Sequence, residues 1–62
     1  MTFKEAEQYA RRGIKITHPE LTKERYMTIR GNITVFGDGS KVHTKEWIEG
    51  KEYLENDWVF HA

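Results

Sequence analysis

Sixty-two residues, 37% of them hydrophobic and none cysteine, bound a single small domain over 1–62 with no disulfide and no thiolate metal site. Ten Lys/Arg offset ten Asp/Glu for a formal net charge of zero, which speaks against a duplex-DNA binder and against an acidic DNA mimic. No run is apolar enough to span a membrane, and Lys4, Glu5 and Glu7 leave no room for a secretory signal.

The first predicted element is a helix over 2–12. Thr2 and Glu5 stand at capping-box spacing, which satisfies two otherwise orphan amides. Phe3, Ala6 and Ala10, with Tyr9 beside them, form an apolar stripe, and Glu7 pairs with Arg11 one turn on. Arg11 and Arg12 complement the dipole of the last turn, and Gly13 supplies a left-handed stop. Ile14-Lys15-Ile16-Thr17 alternates as a short strand. Pro19-Glu20 and Lys23-Glu24-Arg25 read as a polar loop.

Tyr26–Arg30 and Ile33–Phe36 form a β-hairpin around Gly31-Asn32. With a two-residue loop, Arg30 pairs with Ile33 and Ile29 with Thr34. Met27, Ile29 and Phe36 then share one face, and Thr28, Arg30, Ile33 and Val35 the other. One face must cover the helix, which leaves the second as a contact surface. Gly37-Asp38-Gly39-Ser40 is a further turn, Lys41-Val42-His43 a third strand, and Thr44 a cap for a short helix with Trp47 and Ile48 that ends at Gly50. One helical turn within 51–56 is expected to bring Tyr53 and Leu54 inward, and Trp58-Val59-Phe60 closes as a strand. The fold class is α+β: an N-terminal helix packed on a small antiparallel sheet with a central hairpin. So short a chain buries only about 60% of its unfolded surface, so self-association as a dimer or tetramer is the expected source of further stability. The absence of cysteine suits a reducing compartment, and the expectation is a soluble, cytoplasmic protein.

No catalytic motif stands out. Ser40 is the sole serine and lies in a turn, and Asp57 with His61 or His43 is the best acid–base pair available. His18, His43 and His61 fit no zinc-ligand spacing, and no metal or other cofactor is implied. Gly37-Asp38-Gly39 lacks the Lys and helix of a phosphate loop. Residues 1–30 hold seven Lys/Arg against four Asp/Glu, a surplus of three, and residues 31–62 hold three against six, a deficit of three. Either the halves neutralise each other, or the first carries a basic pocket for a small anion, or the two form complementary subunit surfaces. Tyr26, Arg30, Phe36 and Lys41 on a sheet suit stacking and phosphate neutralisation, unless Phe36 is core. His18 beside Lys15 suits a phosphate or is a plain loop residue. Trp47 and Trp58 suit the core, and Asp57 either caps a turn or accepts from a ligand.

The order of these motifs resembles a family of small phage proteins, the Thoeris anti-defence domains of the cyclic-nucleotide sponge type. The resemblance rests on Thr2-Phe3-Lys4-Glu5-Ala6, Gly13-Ile14-Lys15-Ile16, Tyr26-Met27 and Leu54-Glu55-Asn56-Asp57-Trp58-Val59. It covers both ends of the chain and little of the middle. The loop Trp of the family corresponds to Leu21 here, Thr17 replaces a basic residue, and a long central insertion is lacking. The resemblance implies a homo-oligomer, commonly a tetramer, that binds a cyclic nucleotide or cyclic ADP-ribose-like signal between subunits without degrading it. On that basis Lys15, His18 and Arg30 would meet phosphate, Tyr26 would stack, Asp57 would accept from ribose or base, and Trp58 would form wall or core. The rival expectation is an inhibitor that docks on a host protein through its hairpin or acidic C-terminal half.

Overall fold

The computed structural model describes residues 1–62. Helix α1 spans Phe3–Arg11, with Thr2 as N-cap. The Thr2 hydroxyl accepts from the Glu5 amide (3.2 Å) and the Glu5 carboxylate accepts from the Thr2 amide (2.9 Å). That bond from the Thr2 amide, and then one donated to the same carboxylate by the Thr2 hydroxyl (3.2 Å), hold the Glu5 carboxyl below its ordinary range. At the other end Ile14 N–H donates to the Tyr9 carbonyl and Gly13 N–H to that of Ala10, a Schellman stop made accessible by Gly13 at φ 85°.

Five strands follow: β1 (Ile16–Thr17), β2 (Met27–Arg30), β3 (Ile33–Phe36), β4 (Lys41–His43) and β5 (Val59–Phe60). They form one antiparallel sheet in the order β4-β3-β2-β1-β5. The β2–β3 register is the expected one, with Arg30 opposite Ile33, Ile29 opposite Thr34 and Met27 opposite Phe36. Gly31 leads the turn at φ 61°. Strand β1 is shorter than the alternation predicts, although the Lys15 carbonyl still accepts from His61 N–H at 3.0 Å.

One side of the sheet is covered. Ala6 and Ala10 of α1 let the helix approach Ile16, Met27, Ile29 and Phe36, while Leu21, Leu54 and Trp58 close the core from the loops. The expected apolar stripe is thus the one buried. Two expectations are corrected at the C-terminal half. Helix α2 spans Thr44–Ile48 with His43, not Thr44, at its N-cap position. The Thr44 hydroxyl is buried and hydrogen-bonded to that of Thr34 at 2.6 Å, so it fastens α2 to β3 instead of capping. A 3₁₀ turn at Glu52–Leu54 directs Leu54 inward but leaves Tyr53 59% exposed, because three residues per turn place neighbouring side chains on different sides. No helix is long and apolar enough to cross a membrane.

Candidate functional site

With α1 on one side, the other side of the sheet has no covering layer. Register and alternation place Thr17, Thr28, Arg30, Ile33, Val35, Lys41, His43 and Val59 on it. None of these side chains is buried. At the β1–β5 end this face gathers a cluster. The Lys15 ammonium lies 4.7 Å from the centroid of the Tyr26 ring, and the His61 ring stands 4.9 Å from it, tilted by 48°. The β5–β1 pairing brings His61 beside Lys15 from the far end of the chain.

Tyr26 is held by glycine. Gly37 N–H donates to the Tyr26 carbonyl (2.9 Å), and a Cβ at Gly37 would come within 2.6 Å of the Tyr26 ring and 2.8 Å of the Glu24 carbonyl. The aromatic ring therefore lies flat over the start of the turn, and only a residue without a side chain permits it. The Thr17 hydroxyl donates to the Arg25 carbonyl (2.5 Å) and the Arg25 guanidinium to the Gly37 carbonyl (2.8 Å), so the loop before Tyr26 is pinned on both sides. At the tip, the Asp38 carboxylate accepts from the Ser40 hydroxyl (2.6 Å) and amide (2.9 Å). Those bonds, the hydroxyl foremost, hold the Asp38 carboxyl below its ordinary range. Asp38 is thereby spent on the turn.

The electrostatics of this face are one-signed. No strand contains an acidic residue; all ten lie in helices, turns and loops. Lys15, Arg30 and Lys41 are exposed on the uncovered side, with His43 and His61. Three of the ten Lys/Arg thus stand on this face, and the other seven share the helices, turns and loops with the acidic residues.

The six sequence-predicted site residues divide. Lys15 and Tyr26 meet in the cluster, and Arg30 lies further along the same face. His18 is 5% exposed. Its Nδ1 accepts from Glu20 N–H (3.0 Å) and its Nε2 bonds the Asn56 carbonyl (2.8 Å), which fixes a neutral imidazole with the proton on Nε2. Its ring packs edge-on against Trp58 at 5.0 Å. Both nitrogens are committed within the protein, so His18 is not presented to a phosphate. Trp58 is fully buried and donates from Nε1 to the Leu54 carbonyl (2.6 Å), which makes it core and not wall. Asp57 is exposed with a left-handed backbone (φ 75°); it turns the chain into β5, and its carboxylate makes no hydrogen bond within the chain. Phe36 is core.

His61 and Gly37 are the additions. Hairpin alternation already implies that Gly37 faces Tyr26, whereas the contact of His61 requires the non-local β1–β5 pairing. A concavity of about 440 Å³ lies away from this cluster, on the helix side between α1 and α2. Phe3 and Ile48 contribute its apolar wall and Arg11, His43 and Lys45 its rim, but Arg11 is already engaged by Glu7 (3.0 Å) and the Gly31 carbonyl (2.7 Å). None of the six predicted residues reaches it. No family model, curated protein or solved structure matches this chain.

Proposed function

We propose that this chain is a phage anti-defence protein that binds a cyclic nucleotide or cyclic ADP-ribose-like immune signal intact and lowers its free concentration. The observation that carries the reading is the Lys15–Tyr26–His61 cluster on an all-basic, uncovered sheet face. A nucleotide needs a flat apolar surface for its base and a cation for its phosphate, and the cluster supplies both within one contact shell. In the free protein Lys15 occupies the ring face. A surface cation–π contact is worth about 0.5–1 kcal/mol, whereas a base stacked on an aromatic side chain contributes about 1–3 kcal/mol. Stacking therefore displaces the ammonium, which swings onto the phosphate.

The motif order shared with sponge-type domains supports the same reading. So does the edge beside the cluster, where Val59 and Phe60 are 52% and 55% exposed and offer a second copy an apolar seam. Arg30 belongs to this proposal as a phosphate contact, and Asp57 as an acceptor for ribose or base at the rim. His18 leaves the ligand set, and its place is taken by His61.

Isothermal titration with cyclic ADP-ribose analogues and cyclic dinucleotides, followed by mass spectrometry of the recovered ligand, tests it. The expected result is micromolar or tighter binding with ligand returned unchanged. Tyr26→Ala is expected to weaken binding by about 10-fold or more, the equivalent of one lost stacking contact. Absence of binding by every such nucleotide, or recovery of a cleaved product, overturns the proposal.

A further inference from the structure

The uncovered face is wider than one small messenger requires. The registers align Lys15, Thr28, Val35 and Lys41 in one row across four strands. Three inter-strand steps separate the two lysines, about 14 Å between their backbones. Arg30, paired with Ile33 and His43, belongs to the next row, about 7 Å further along the strands. A small ligand that sits on Tyr26 between Lys15 and Arg30 does not reach Lys41, so it does not use both Arg30 and Lys41. Neither of these makes a salt bridge; the molecule's single ion pair is Glu7–Arg11 on the helix.

We infer that this face also binds single-stranded nucleic acid, with phosphates of one strand at Lys15, Arg30 and Lys41 and a base stacked at Tyr26–His61. Three features select that partner. The strands of this face carry no acidic residue, so Lys15, Arg30 and Lys41 attract a polyanion laid across them. Ile33, Val35 and Val59 place apolar groups among the cations, which suits unstacked bases and not a bare phosphate backbone. The open side of a five-stranded sheet presents no protruding helix or ribbon to enter the grooves of a duplex. The inference goes beyond signal sequestration: it shares Lys15, Tyr26, His61 and Arg30 with that reading and adds Lys41 at the far side of the sheet.

The test uses fluorescence anisotropy of labelled poly-U and poly-dT strands of about eight nucleotides, within the ~4–16 nucleotide footprint of small sheet domains. Three phosphate contacts predict a slope of about −2 in log affinity against log salt, so affinity falls about 20-fold between ~50 and ~200 mM salt. Arg30→Gln and Lys41→Gln are each expected to make that slope shallower by about 0.7 while the circular dichroism spectrum stays unchanged. The matching duplex is expected to bind at least several-fold more weakly. No binding of single strands up to about 100 µM at low salt, equal affinity for duplex, or a slope indifferent to both variants overturns the inference. Vesicles of anionic lipid that bind through the same residues while oligonucleotides do not also overturn it. Cyclic-nucleotide titrations of Arg30→Gln and Lys41→Gln run alongside. Messenger binding with no oligonucleotide binding removes this inference alone, and the converse removes the sequestration reading alone.

Discussion

Trp58 and Asp57 are neighbours with opposite assignments, and their environments separate them. Trp58 has no exposed surface, contacts the rings of Phe3, Trp47 and His18, and bonds the Leu54 carbonyl. Small-domain stability is about 0.05–0.15 kcal/mol per residue, whereas truncating a buried Trp costs about 3–5 kcal/mol. Trp58→Ala is therefore expected to be largely unfolded at 25 °C by near-ultraviolet circular dichroism and chemical-shift dispersion. A folded Trp58→Ala protein with a urea midpoint near that of the parent would refute its place at the centre of the core. The buried, fully bonded His18 belongs to the same unit: its ring braces the indole, its Nδ1 closes the 18–20 turn on Glu20, and its Nε2 ties that turn to Asn56 before β5. From sequence, a His next to a Pro gave no sign of this role, because its partner Asn56 is 38 positions away.

Among the elements, the junction of β3 and α2 shows how a polar pair becomes part of a core. Thr34 and Thr44 are both buried, and each hydroxyl has the other as partner at 2.6 Å. Removing one leaves the other buried and unsatisfied, which costs about 1–3 kcal/mol, whereas replacing both with isosteric apolar side chains is close to neutral. Thr34→Val and Thr44→Val are thus each expected to destabilise by that amount, and the double variant by less than either alone, as measured by urea unfolding. Simple additivity of the two would show that the hydroxyls do not depend on each other. The hairpin register was legible because its turn and both strands are contiguous in sequence. The position of Thr44 was not: it looks like an N-cap by residue type, and only the close approach of β3 draws its hydroxyl away from the helix end.

At the scale of the whole molecule, α1 protects one side of the sheet while the other side and the β5 edge remain open. Exposed Phe60 touches Tyr9 at 5.0 Å, and Arg12 lies 5.8 Å above the same tyrosine ring, so the edge carries two rings and one cation at the end of the helix. If copies join at this edge, as the proposed function has it, Phe60→Lys places like charges opposite each other across a two-fold contact and returns the protein to a monomer in sedimentation velocity. An unchanged sedimentation coefficient in a parent that self-associates would move the interface elsewhere, and a parent that sediments as a lone protomer would remove the oligomer from the proposal.

The capping box, the glycine stops, the hairpin register and the apolar stripe of the helix were determined by sequence alone, because each depends on residues within a few positions of one another. Lys15 and Tyr26 could be named as candidates from residue type and order. Tertiary structure decided that His61 joins them, that His18 is sealed in the core, and that Lys15, Arg30 and Lys41 share one face. Those outcomes follow from β5 closing against β1, a pairing between the two ends of the chain that no local pattern encodes.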